Sequence, residues 1–179
     1  MPNNAPMSFR IILITKAMAL SLLILACVNS MPVQAIAAEG SGLPLPRFVS
    51  LRADQVNLRT GPGVQYPVEW VYQRRDLPVE IIAEYRTWRK IRDWQSTQGW
   101  VHQSMLSGRR SIIVTGKRRS MRSSADTKSP PVAQIEAGAI AYLDECPTGG
   151  GWCQVDAGSL KGWLRKVEFW GAYRDEVLK

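Results

Sequence analysis

Leu77-Pro78-Val79-Glu80-Ile81-Ile82-Ala83-Glu84-Tyr85 is the stretch that decides the fold class. Its apolar side chains fall at 77, 79, 81, 83 and 85, with Glu80 and Glu84 between them. A period of two is that of an extended strand with one face in a core and the other in water. On this reading Glu80 and Glu84 face solvent. Upstream, Val56 and Leu58 alternate with Asn57 and Arg59 in the same way, and Gly61-Pro62-Gly63 marks a turn. Downstream, Trp88-Arg89-Lys90-Ile91-Arg92 and Gly99-Trp100-Val101 read as short strands around a polar loop, Asp93 to Gln98. Short strands at this spacing predict a small β-barrel.

The pattern is written twice. Asn57-Leu58-Arg59-Thr60 matches Ser120-Met121-Arg122-Ser123 at an offset of 63, and Pro67 matches Pro130 at the same offset. Trp88 and Ile91 match Trp152 and Val155 at 64, and Gly99-Trp100-Val101 matches Gly162-Trp163-Leu164 at 63. A period near 60 is too long for a solenoid repeat, and each copy is large enough to be a small domain. The expected organisation is a signal segment 1–38, a linker 39–49, a first module 50–108, a second module 109–171 and a tail 172–179. Ser41 to Arg47, with Pro44 and Pro46, reads as an extended linker. The end of the chain has no clear helix cap and is expected to form a short helix or to fray.

Met1 to Ala38 reads as a targeting segment. Arg10 and Lys16 supply positive charge, and Ala17 to Val28 is an apolar run short for a membrane-spanning helix and of the length of a signal-peptide core. Ala35-Ile36-Ala37 offers small residues for cleavage, whereas Leu23-Ile24-Leu25-Ala26-Cys27 is similar to a lipidation site at Cys27. Ordinary cleavage, lipidation and an uncleaved anchor all place the remainder outside the cytoplasm, in the periplasm or cell envelope. Export implies an oxidising compartment, so Cys146 and Cys153, on either side of Pro147-Thr148-Gly149-Gly150-Gly151, are predicted to form a disulfide.

The string Val-Asn-Leu-Arg-Thr-Gly-Pro-Gly-Val-Gln-Tyr-Pro-Val at 56–68 resembles the opening of a bacterial SH3-like domain. The likeness continues through Arg75-Asp76, Trp88-Arg89-Lys90-Ile91 and Gly99-Trp100-Val101. The second copy is similar but lacks the Gly-Pro-Gly turn, and its Cys146…Trp152-Cys153 looks like a variant common in exported members. The resemblance implies an all-β chain of two tandem SH3-like barrels, each five- or six-stranded and partly open. It also implies a binding role toward cell-wall peptidoglycan, glycan or peptide, or toward an envelope protein as an interaction adaptor. In many relatives the module is attached to a wall hydrolase.

Signs of chemistry are few. His102 is the one histidine, read as a surface residue at a strand end. Asp54, Asp76, Asp93 and Glu84 read as solvated faces, and no spacing pairs two of them as acid and base. No phosphate-binding glycine loop is present. The expectation is a non-enzyme without cofactor or metal. Aromatic side chains suit sugar faces and extended peptides. The candidate surface is therefore Tyr66, Trp70, Tyr72, Trp94 and Trp100, with Arg59 as a charged partner. Trp94, in a polar loop, is expected to be exposed, and Trp88 and Trp152 are assigned to the cores.

The 23 bases and 15 acids give a net charge of +8, or about +6 without the first 38 residues. Bases concentrate near the module junction: Arg109, Arg110, Lys117, Arg118, Arg119 and Arg122. They suit a solvated face or an anionic envelope polymer or lipid surface. Nucleic acid is disfavoured as a partner by export.

Overall fold

The computed structural model describes residues 40–179. The proposed signal segment and the candidate lipidation site Cys27 lie outside the described residues. Two seven-stranded antiparallel sheets follow one another along the chain. The first contains β1 (Arg47–Leu51), β2 (Val56–Arg59), β3 (Val68–Tyr72), β4 (Pro78–Tyr85), β5 (Trp88–Arg92), β6 (Gln98–His102) and β7 (Leu106–Ser107). The second contains β8 (Ser111–Val114), β9 (Arg119–Arg122), β10 (Pro131–Ile135), β11 (Ile140–Glu145), β12 (Trp152–Asp156), β13 (Lys161–Arg165) and β14 (Phe169–Trp170). The strand orders are β3-β2-β6-β5-β4-β1-β7 and β10-β9-β13-β12-β11-β8-β14, one topology used twice. A single 3-10 turn sits before the last strand of each sheet, at Gln103–Met105 and Lys166–Glu168.

Each sheet exceeds the expected five or six strands. The additions are the two-residue β7 and β14 and the N-terminal strands β1 and β8 that they flank. β1 starts inside the stretch read as a linker. Arg47 pairs with Ile81 and Val49 with Val79, so only the residues before Arg47 remain a connection. Leu51 enters the interior, while Phe48, on the opposite face, is buried against Trp170 and Tyr173, and the proline-rich neighbourhood conceals both burials.

Alternation along the strands fills two cores. Val56, Leu58, Leu77, Val79, Ile81, Ile91 and Val101 build the first. Ile112, Val114, Met121, Leu143, Val155 and Leu164 build the second. The β4 alternation holds from Leu77 to Ile81, then a bulge between Ile81 and Ala83 breaks register and Tyr85 emerges 43% exposed.

The matched glycines sit where strands cross too closely for a side chain. A Cβ on Gly99 would sit 2.5 Å from Leu58 Cγ, and one on Gly162 would sit 2.6 Å from Met121 Cγ. Side chains at either site would push β2 off β6, or β9 off β13, where Arg59 pairs with Trp100 and Arg122 with Trp163.

The two barrels share an interior. Ile113, from the first strand of the second module, belongs to the first module's core, and Ile140 and Trp170 pack against it. Ser111 Oγ donates to the Asp76 carbonyl at 2.6 Å, and Tyr142 Oη donates to Asp76 Oδ2 at 2.6 Å. The segment 172–179 is neither helical nor frayed. Tyr173 lies 4.7 Å from the Phe48 ring and donates its hydroxyl to Glu80 Oε1, and Leu178 bridges Cys146 through paired backbone hydrogen bonds.

Two acids expected to face water are enclosed. Glu80 is 2% exposed, covered by Tyr173 and held by Arg92 at 2.5 and 2.9 Å. Glu84 is contacted by Arg47, Arg89 and Ser41. Glu80 lies on the outer face and is covered by chain that follows the barrel, whereas the bulge after Ile81 brings Glu84 opposite Arg89, on the side of Ile91 and Val101; strand alternation registers neither.

Candidate functional site

The outer face of β2, β6 and β5 is set by register. Trp88 pairs with His102, Lys90 with Trp100, and Trp100 with Arg59, so these side chains share one face while Ile91, Val101 and Leu58 point inward. Trp88 and His102 meet edge to face, with ring centroids 5.5 Å apart. His102 Nδ1 lies 2.7 Å from Ser104 Oγ, which fixes the imidazole at the start of the 3-10 turn.

The loop after β2 forms the opposite wall. Arg59 donates through Nη1 to the carbonyls of Val64 at 3.1 Å and Tyr66 at 2.8 Å. Gly63 N donates to Gly61 O, and the Tyr66 ring lies on Gly61, where any Cβ would collide with it. The Gly-Pro-Gly turn is therefore a compact bracket, and the arginine is largely committed to holding it.

Between this bracket and the Trp88–His102 pair run two adjoining depressions. One, of about 200 Å³, is lined by Asn57, Arg59, Val64, Trp88 and His102 among others. The other, of about 480 Å³, runs along Pro62–Gln65 to Tyr85 and Trp88. Val64 is 76% exposed. The combination offers flat aromatic faces beside amide and imidazole groups, the chemistry by which proteins hold sugar rings and extended peptides.

The six candidate residues do not form one surface. Arg59 lines the groove, Tyr66 flanks it, and Trp100 stands beside Arg59 on the same face. Trp70 is 57% exposed, but it pairs with Leu58 and so projects from the other face at the sheet edge. Tyr72 is 5% exposed and donates its hydroxyl to Asp93 Oδ2, and its phenol is pushed up by burial and by that carboxylate. Trp94 is not an exposed loop residue. It packs against the first core, because Asp93 Oδ1 accepts from Gln95 N and Thr97 N and folds the loop back.

Trp88, His102, Val64 and Tyr85 are the residues the sequence reading did not select. The match with Trp152, which is 8% exposed, points Trp88 to the core, whereas the structure sets it at the groove. The available signal was phase. Trp88 alternates with the inward Ile91, in step with Lys90 and Arg92.

The acids and bases thought to be solvated are partly engaged. Asp93 is 3% exposed, and Asp76 holds the second barrel through Tyr142. Arg109 lies 3.1 Å above the Tyr142 ring. Arg110 binds both carboxylate oxygens of Glu176 and the Gly171 carbonyl. These two residues also touch the first module, the Arg109 carbonyl accepting from Ser50 Oγ and Arg110 lying over the Phe48 ring, whereas Lys117, Arg118, Arg119 and Arg122 gather elsewhere, on the second barrel. Cys146 and Cys153 form a disulfide across β11 and β12. Among the described residues no three His, Cys, Asp or Glu side chains cluster as a metal centre requires, and no helix is long and apolar enough to cross a membrane.

A family model described as a bacterial SH3 domain matches twice, at residues 52–108 and 115–171. No curated protein sequence matches the chain. Solved structures with some likeness include NlpC1 from Trichomonas vaginalis, at 11% identity and a TM-score of 0.33, covering 74% of this chain and 48% of that one. NlpC2 from the same organism is similar at 10% identity and a TM-score of 0.33, covering 71% and 48%. The chain thus spans about half the length of either.

Proposed function

The chain belongs to the bacterial SH3 domain family, and from that premise we propose that it is a non-catalytic binding protein of the cell envelope that takes peptidoglycan in the groove of its first barrel. Family members of this kind suit a cell-wall partner in general. The finer assignment, a glycan or stem-peptide segment lying between residues 62–65 and Trp88, is carried by one observation: the edge-to-face Trp88–His102 pair walls an open groove whose other side is a pinned loop. Export through the N-terminal segment agrees with the disulfide, since such bonds persist outside reducing compartments.

Retention of the purified protein on insoluble peptidoglycan tests this. Wild type is retained, Trp88→Ala is not, and retention that survives both Trp88→Ala and Tyr85→Ala rules the groove out. A second reading, a protein adaptor, is favoured by the edge strand β3. Among the described residues no strand pairs with its outer side, and Val68 and Trp70 are 41% and 57% exposed, a form that suits strand addition. No retention on peptidoglycan, together with capture of an envelope protein that Trp70→Ala abolishes, would establish that reading.

A further inference from the structure

The second barrel has a groove at the same place as the first, with its chemistry exchanged. Shifted by 63 residues, the 200 Å³ depression of the first barrel falls on a recess of about 280 Å³ lined by β9 and the end of β13. Arg118 stands where the first barrel has Gln55, Thr127 where it has Val64, and Arg165 where it has His102. The apolar and aromatic wall has become a cationic one.

Arg118 is paired with Glu136, but both are more than 60% exposed, so water competes for the pair and another oxyanion could replace the carboxylate. Arg165 is held in place by Glu168 through bonds of 3.1 and 2.8 Å. Arg119 also lines the recess and has a buried Nε with no hydrogen-bond partner. Lys117 makes no ion pair among the described residues. Five cations thus line the recess beside one lining carboxylate.

We propose that this second groove binds a phosphate or carboxylate carried on a flexible anionic polymer. The charges line a recess sized for one oxyanion-bearing unit of a chain rather than a broad flat face of the kind that meets a bilayer. Bidentate arginines are the usual means of holding such groups. The site does not depend on what the first groove takes.

The test is a titration of the purified protein with short-chain polyphosphate and, separately, with poly-glutamate and with phosphatidylglycerol vesicles, followed by amide chemical shifts. The expected result is saturable shifts confined to Lys117–Arg122 and Arg165–Glu168 with one or both polymers, the stronger of the two telling phosphate from carboxylate. The double variant Lys117→Gln, Arg118→Gln weakens polymer binding by about tenfold or more while leaving retention on peptidoglycan unchanged. Trp88→Ala does the reverse, which keeps the two sites separable. Shifts elsewhere or none, polymer binding unchanged in the double variant, or a response to vesicles alone overturns the proposal.

Discussion

Glu84 and Arg89 face each other across the β4–β5 hairpin at the two positions where the second barrel carries its disulfide. Arg89 pairs with Val101 as Cys153 pairs with Leu164, 64 and 63 residues later. The ion pair measures 3.1 Å, with both side chains 6% exposed. One barrel closes this hairpin with charge and the other with sulfur. Each closure is also covered by a neighbouring segment, Ser41 and Arg47 over Glu84, and Leu178 beside Cys146.

That difference predicts an acid-sensitive first barrel. Burial opposes ionisation of Glu84, but the hydrogen bond from Arg47, with those from Ser41, outweighs it and holds the carboxyl at about 2 against an ordinary 4.5. A carboxylate whose pKa is lowered by folding stabilises fully above its unfolded value, and that contribution is lost as pH falls from about 4.5 toward 2. Glu84→Gln is expected to cost roughly 1–3 kcal/mol at pH 7 and to flatten the pH dependence in that window. Urea unfolding at pH 7, 4.5 and 3 measures both, and equal acid slopes for variant and wild type would refute the assignment.

Reduction should act on the other barrel. Opening the Cys146–Cys153 bridge, which closes a short loop, removes about 2–3 kcal/mol. Hydrogen exchange with and without reductant should show faster opening at β11 and β12 and little change at β4 and β5.

Ile113 is 1% exposed and packs in the first module's core although it belongs to the second module's first strand. Truncation to alanine should cost about 2–5 kcal/mol. Because the site is shared, unfolding should stay a single transition in wild type, and the variant should loosen both barrels. Two well-separated melting steps in wild type would contradict a common interior.

Gly99→Ala and Gly162→Ala each place a methyl group less than 3 Å from Leu58 or Met121 and from the backbone carbonyl of Arg59 or Arg122. Overpacking of this kind costs about 1–3 kcal/mol. Thermal melts of the two variants are expected to fall together, because the crossings are equivalent. A neutral result at either position would mean the strands separate more easily than their register implies.

The repeat, the strand period and the disulfide were legible because each depends on near neighbours in sequence: alternation, a Gly-Trp pair kept at one offset, two cysteines around a glycine run. What escaped was whatever depends on chain arriving from elsewhere. Glu80 and Glu84 read as solvent-facing because their strand alternates, yet Tyr173 and Ser41, 93 and 43 residues distant, cover them. Trp94 sits among polar residues, but the buried Asp93 turns its loop inward. Trp88 and Trp152 share a position in the repeat and differ in exposure, so the equivalence that revealed the fold obscured the groove.

A jointly owned interior also makes the molecule a ruler. With Ile113 seated in its neighbour, the aromatic recess and the cationic one cannot drift apart or swivel freely. Two attachment points held at constant distance reward a ligand whose own features recur at that distance and penalise one that must stretch or loop to reach both. Selectivity can therefore arise from spacing along a polymer even where neither contact alone discriminates strongly.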